Sequence, residues 1–181
     1  MNRNLILFLL VFAQASALFA GGQGESAPQV PLRDGFSRGG DAGVDVQWRV
    51  NDDQITVQMS APTTGWVAVG FDPARMMAEA NMIIGYVENG TLTIADDYGT
   101  AATAHGRDTE NGGTDDIISA EGRETEEGAQ ITFTIPLDSG DPTDKPLTPG
   151  NSYKVIVAYG PDRSNNLDAY HEARGSFTME L

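Results

Sequence analysis

The chain has 181 residues and carries 11 Lys plus Arg against 26 Asp plus Glu, a formal net charge of −15 at pH 7. Such a charge repels phosphate groups, which excludes nucleic-acid binding and docking on anionic lipid surfaces. The sequence contains no cysteine, and this excludes disulfides, thiolate metal sites and covalently attached haem. His105 and His171 are the two imidazoles of the chain. A hydrophobic fraction of 40% is enough for one ordinary core.

The N-terminal segment has the pattern of a secretory signal peptide. Arg3 precedes an apolar stretch that is shorter than the ~20 residues needed to span a bilayer, and small residues follow. We predict a signal peptide over residues 1–20, cleaved after Ala17 or Ala20; a retained N-terminal anchor is the alternative. Residues 21–31 are rich in Gly, Ser, Pro and Gln and predict a flexible linker. The folded domain is expected over 32–181, in a secreted or periplasmic protein with no membrane insertion after cleavage.

From residue 44 onward the hydrophobic pattern has a period of two. Apolar and polar residues alternate over 44–50 and 55–59, on either side of an Asn-Asp-Asp turn, which predicts a β-hairpin. Further short apolar runs, each bounded by Gly, Pro, Asn or Asp, lie at 66–71, 82–87, 92–94, 117–118, 131–135, 153–158 and 177–181. Only residues 73–80 have a helix-compatible composition, enough for a turn or two. The pattern predicts an all-β antiparallel sandwich of about nine strands.

Two loops are conspicuously acidic. The first, residues 99–116, contains Asp108, Asp115 and Asp116, and the second, residues 138–149, contains three aspartates at a spacing of three. Carboxylates at such spacing can bind calcium, but the EF-hand spacing and its final Glu are missing. Because Asp is common in turns for conformational reasons, we interpret both loops as solvated turns.

The side chains that carry recognisable chemistry are a group of methionines and one histidine. No Gly-rich phosphate loop, no Gly-x-Ser-x-Gly motif and no carboxylate pair on an aromatic-lined strand is present, so nucleotide binding, serine hydrolysis and glycoside hydrolysis lack support. Met76, Met77 and Met82 lie close together in sequence, and His171 precedes the last predicted strand. Thioether and imidazole groups both bind haem iron or copper, although a methionine can also simply fill a gap in the core.

Two blocks of sequence resemble the DOMON domain, a family named after a region of dopamine β-monooxygenase. The first block is Gly-Trp-Val-Ala-Val-Gly-Phe-Asp-Pro at 65–73, followed by Met77, Asn-Met-Ile-Ile-Gly-Tyr-Val at 81–87, Gly90 and the Asp-Asp pair at 96–97. The second is Tyr-His-Glu-Ala-Arg-Gly-Ser-Phe at 170–177. The resemblance covers about residues 36–181. It implies an immunoglobulin-like β-sandwich with a ligand pocket at one end.

One branch of this family, similar to the cytochrome domain of cellobiose dehydrogenase and to plant secreted b-type cytochromes, holds haem b non-covalently between a methionine and a histidine. The resemblance implies Met77 and His171 as the axial ligands, because Met77 lies nine residues before Tyr86, as in that branch. Met76 is the alternative ligand. We also expect Trp66, Phe71, Tyr86 and Tyr170 to line the pocket, and Arg174 to pair with a haem propionate.

Three functions follow from these residues. Haem iron with Met and His ligands has no open coordination position, which suits electron transfer; we expect a b-type cytochrome, an electron carrier rather than an enzyme. It would exchange electrons with a separate redox partner, such as a membrane cytochrome or a dehydrogenase. A haem-free DOMON module that binds a sugar, another small molecule or a protein is the first alternative. A copper protein using His105, His171 and the methionines is the second, and with haem His105 would instead have a role at the pocket mouth.

Overall fold

The computed structural model describes residues 30–181 of the chain. The predicted signal peptide and residues 21–29 of the predicted linker lie outside the described residues. Between residues 30 and 181 the one helix is a three-residue 3-10 helix, so nothing helical in this part is long and apolar enough to cross a membrane.

Eleven strands make up most of the described part. They are β1 (Ser37–Asp41), β2 (Val44–Asn51), β3 (Gln54–Ala61), β4 (Val67–Phe71), β5 (Asn81–Glu88), β6 (Thr91–Ala101), β7 (Ala104–Arg107), β8 (Ser119–Thr125), β9 (Gly128–Pro136), β10 (Ser152–Tyr159) and β11 (Ala173–Glu180). The 3-10 helix η1 (Asp108–Glu110) follows β7 directly. The segment 73–80 forms tight turns instead of a helix: a bridge joins Arg75 to Ala78, and Met76 and Glu79 have left-handed φ angles of 53° and 62°.

The strands form two antiparallel sheets. One sheet has the order β1-β2-β3-β9-β8, and the other has the order β11-β10-β4-β5-β6-β7. This arrangement confirms the predicted all-β sandwich. Three strands contain no predicted apolar run, namely β1, β7 and β8, and all three are at a sheet edge, where few side chains are buried.

The core lies between the sheets and follows from the two-residue alternation of side chains along each strand. In β4, Val67, Val69 and Phe71 face the other sheet and pack in the main core, with exposed fractions of 1% or less. Val57 and Phe133 approach them from the five-stranded sheet. The side chain of Ala68 therefore faces the opposite way, out of the sandwich.

That outer face of the six-stranded sheet carries a second apolar cluster. Its members are Trp66, Ala68, Ile84 and Ala95, all with 4% exposure or less. Tyr86, Ala158 and Leu167 pack against them. Leu167 belongs to the loop between β10 and β11, so this loop lies across the outer face. We call this group of seven side chains the outer-face cluster.

Candidate functional site

The two predicted axial ligands lie in loops at opposite ends of strand β4. Met77 is in the loop that follows Phe71, the last residue of β4. His171 precedes β11, near Tyr159, which pairs with Val67 at the start of β4. Four residue steps of ~3.3 Å give β4 a length of about 13 Å. The loops that carry Met77 and His171 therefore border opposite ends of the same sheet, and the structure does not bring the two side chains together.

The backbone of Met77 is held against the end of strand β6. Its N–H donates to the carbonyl of Ala102 at 3.4 Å. A Cβ at Gly99 would lie only 1.7 Å from the Met77 carbonyl oxygen, so glycine is what allows this approach. Met77 is half-buried, whereas Met76 is 41% exposed. Burial thus favours Met77 over Met76 as a ligand.

His171 lies between an aromatic ring and a cation. Its ring stacks on Tyr170 with centroids 4.2 Å apart, and its Nε2 is 3.4 Å from Nη1 of Arg174. A guanidinium can only donate, so Nε2 is the acceptor in this contact. Burial, and secondly the charge of Arg174, lower the pKa of His171 below its usual value. The imidazole is therefore neutral at pH 7, which is the form that binds iron.

The structure places the remaining predicted pocket residues in three different environments. Trp66 and Tyr86 belong to the outer-face cluster. Phe71 is 1% exposed in the core between the sheets, so the prediction that it lines the pocket is wrong: odd-numbered residues of β4 face inward. Tyr170 is 78% exposed and contacts the His171 ring instead of forming a buried wall. Arg174 is exposed on the edge strand β11.

His105 has a partner that the sequence did not indicate. It lies on β7, where its Nδ1 is 2.6 Å from Oδ2 of Asp97 on β6. Arg107 approaches the other oxygen of the same carboxylate at 3.7 Å. Because β7 and β11 are opposite edges of the six-stranded sheet, five strand spacings of about 4.8 Å separate His105 from the strand next to His171. The two imidazoles are thus too far apart to share one copper ion.

The residues present fit haem b in their chemistry. One thioether and one neutral imidazole are the donor set of a six-coordinate b-type iron, and Ala68 and Ala158 give the outer face a floor of small side chains. The indole N–H of Trp66 is buried there without an acceptor. Ile84 in this floor is nevertheless only 1% exposed, with Leu167 packed on the cluster. A haem on this face therefore requires the β10–β11 loop to move outward.

Two open clefts lie elsewhere on the molecule. They have volumes of about 520 Å³ and 390 Å³. The larger is lined mainly by residues 38–45 and 60–62, and the smaller by residues of β3, β8 and β9 together with Pro31. Neither is lined by a residue of the candidate haem site.

Comparison with known proteins gives relatives in sequence and in structure. DBH-like monooxygenase protein 1 of Homo sapiens is 27% identical over 175 residues, and DBH-like monooxygenase protein 2 of Mus musculus is 27% identical over 173 residues. These matches cover 96% and 92% of this chain but only 27% and 25% of the relatives, so the chain spans about a quarter of their length.

Two solved structures share the fold. The cytochrome b domain of pyranose dehydrogenase from Coprinopsis cinerea superposes with a TM-score of 0.56 at 14% identity, covering 80% of each chain. The cytochrome domain of Myriococcum thermophilum cellobiose dehydrogenase superposes with a TM-score of 0.53 at 8% identity, covering 76% of this chain and 74% of that one.

The family model for the DOMON domain matches residues 40–160, which run from β1 to the end of β10. This range is more than half of the chain, and it contains strands of both sheets, although β11 lies beyond it. The chain therefore belongs to the DOMON domain family.

Proposed function

We propose that this protein is a b-type cytochrome that binds haem b non-covalently between Met77 and His171 and carries single electrons. A half-buried thioether and an imidazole are available in loops at opposite ends of one apolar sheet face, and these loops would have to bring the two side chains together to hold one iron. The observation that supports the proposal most strongly is the fold shared with the cytochrome domains of two sugar dehydrogenases.

When bound, haem b supplies a one-electron redox centre. Met77 Sδ and His171 Nε2 would hold the iron, and with both positions filled no site is left for oxygen. Ligation uses the Nε2 lone pair that Arg174 now contacts, which frees the guanidinium to pair with an anionic group. Trp66 offers a buried N–H donor, and the alanines of the outer-face cluster exclude water.

We further propose that the protein is secreted or periplasmic and exchanges electrons with a separate partner, a membrane cytochrome or a dehydrogenase. The signal-like N-terminus supports the location. The structural relatives are cytochrome domains of dehydrogenases, and this supports the class of partner. The net charge of −15 favours a partner with a basic docking surface.

Haemin titration of the purified protein with single-residue variants tests the ligand assignment. The wild type is expected to bind one haem per chain with a low-spin spectrum. Met77→Ala and His171→Ala should each convert the iron to a high-spin form and weaken haem retention. Met76→Ala removes a neighbouring thioether and His105→Gln removes the other imidazole, and both should leave the spectrum unchanged. A low-spin spectrum that survives both ligand substitutions would contradict the assignment.

A haem-free binding module is the second candidate function. The observation that favours it is the closed outer face, because Ile84 and Ala95 are each 1% exposed beneath packed side chains. On this account the protein is colourless after expression with ample haem and shows no Soret change with haemin. Binding of sugars or of a partner protein, measured by calorimetry, would then be the activity to find.

A further inference from the structure

Three carboxylates, two of them buried and one half-buried, meet where the two acidic loops approach strand β6. Asp96 is on β6, Asp108 begins η1, and Asp144 is in the β9–β10 loop. One carboxylate oxygen from each lies within 4.8 Å of one from each of the other two. The interpretation of the acidic loops as solvated turns is therefore wrong at Asp108, which is fully buried, whereas Asp144 in the second loop is half-buried.

In each of the three carboxylates, one oxygen accepts a hydrogen bond from the protein and the other accepts none. Oδ2 of Asp96 accepts the N–H of Asp116 at 2.8 Å. Oδ2 of Asp108 accepts the Thr143 hydroxyl and Oδ2 of Asp144 accepts the Ser139 hydroxyl, each at 2.9 Å. In all three residues Oδ1 is buried without a hydrogen-bond partner. The protein thus orients the three groups and leaves the same oxygen of each unsatisfied.

No positive side chain compensates these charges. The ion pairs of residues 30–181 involve other carboxylates, and none includes Asp96, Asp108 or Asp144. A buried charge is normally paired or bound to a metal, because an unpaired one has a large desolvation cost. The surrounding groups that act on the cluster are acidic as well; they are Asp97, Asp115, Asp116 and Asp141.

From these observations we infer that Asp96, Asp108 and Asp144 form a calcium site that joins both acidic loops to β6. Ligands that are all oxygen favour a hard cation, and zinc prefers nitrogen and sulfur. Two oxygens that share a calcium ion at about 2.3–2.6 Å lie up to about 5 Å apart, whereas magnesium, at about 2.0–2.1 Å, limits them to about 4.2 Å. Separations within 4.8 Å admit calcium, and its flexible coordination suits three carboxylates from separate segments better than the strict octahedron of magnesium.

The packing of the two loops supports a site built by both. A Cβ at Gly113 would lie 2.1 Å from the Thr143 hydroxyl and 2.7 Å from Oδ1 of Asp141, so the loops touch with no space for a side chain. Asp141 bonds Thr114 across the same contact. The site does not include the candidate haem ligands, so its test does not depend on whether the proposed function is correct.

Thermal unfolding and calorimetry of the full chain with calcium chloride test this site. In calcium-free buffer, addition of about 1 mM calcium should raise the Tm, with one ion bound per chain, and magnesium should have a smaller effect. Asp108→Asn should abolish this response. Because Asp108→Asn also removes one of three repelling charges, it should raise the Tm of the calcium-free protein.

The matched control is Asp138→Asn, an exposed carboxylate in the same loop as Asp144 that lies outside the cluster. This variant should keep the full calcium response. If Asp108→Asn does not fold, Asp144→Asn serves in its place. The absence of calcium binding by the wild type, or a calcium response that both Asp108→Asn and Asp138→Asn retain, would overturn the proposal.

Discussion

At the scale of single residues, Gly99 fixes the position of the Met77 backbone. Gly99→Ala would place a Cβ 1.7 Å from the Met77 carbonyl oxygen and 2.7 Å from its carbon, both backbone atoms that can move only with the whole loop. We expect a loss of about 1–3 kcal/mol in the free energy of unfolding, measured by urea denaturation.

Gly106→Ala, on the adjacent strand β7, is the matched control for this substitution. The nearest atom to its Cβ would be the side-chain amide nitrogen of Asn111 at 3.4 Å, so the free energy of unfolding should change little. Equal losses in the two variants would show that the close approach at Met77 is not the cause.

The alternation of side chains along β4 predicts where candidate site residues lie more precisely than the family motif does. Strict alternation in β4 places Phe71 on the side of Val67 and Val69, in the core, and Trp66 on the side of Ala68. Applied residue by residue, it would have removed Phe71 from the predicted pocket. The exposure of Tyr170 was not predictable in this way, because it lies in a loop whose path depends on tertiary contacts.

At the scale of elements, hydrophobic periodicity located the strands that build the core and missed three edge strands, β1, β7 and β8. The strand β1, with the sequence Ser-Arg-Gly-Gly-Asp, and the strand β7, with Ala-His-Gly-Arg, bury too little surface to need apolar side chains. The run at 117–118 lies just before β8, and Ile118 is 52% exposed. The burial of Asp96, Asp108 and Asp144 could not be predicted because their contacts join segments far apart in sequence.

The pairing of β6 with β7 depends on a buried polar contact. Asp97 is only 5% exposed in its side chain, and its closest partner is the His105 imidazole at 2.6 Å. His105→Ala leaves this carboxylate with Arg107 at 3.7 Å, and we expect a loss of about 1–3 kcal/mol in the free energy of unfolding.

A double-mutant cycle checks this contact. Asp97→Asn removes the buried charge, so His105→Ala should be less damaging in the Asp97→Asn background than in the wild type. If the two substitutions are additive in urea denaturation, the contact contributes no coupling energy and the prediction is wrong.

At the scale of the whole molecule, Asp96, Asp108 and Asp144 make stability depend on pH. Burial, with repulsion from neighbouring carboxylates, raises the pKa of Asp96 to about 8, of Asp144 to about 7 and of Asp108 to about 6, from 3.8. The folded protein thus keeps protons that the unfolded chain has already lost. In calcium-free buffer these groups should lower the free energy of unfolding as pH rises from about 4 to about 8.

Calcium should reverse this trend, because it binds the ionised carboxylates. The measurement is urea denaturation at pH 5 and pH 8, with and without calcium, for the wild type and Asp108→Asn. Subtracting the free energy of unfolding of the variant from that of the wild type at each pH removes the contributions that both proteins share. One of these comes from His171, whose lowered pKa makes stability rise with pH. A wild type without calcium that gains stability between pH 5 and pH 8 relative to Asp108→Asn would contradict the prediction.

The measurement that tests haem binding most directly is the absorption spectrum of the protein expressed with its N-terminal segment and ample haem, oxidised and then reduced with dithionite. We predict sharp reduced α and β bands of a low-spin b-type haem that do not shift under carbon monoxide, because Met77 and His171, as the proposed ligands, would leave no coordination position open. A spectrum that stays featureless after haemin is added would contradict the cytochrome assignment. A carbon monoxide shift would contradict the closed six-coordinate site.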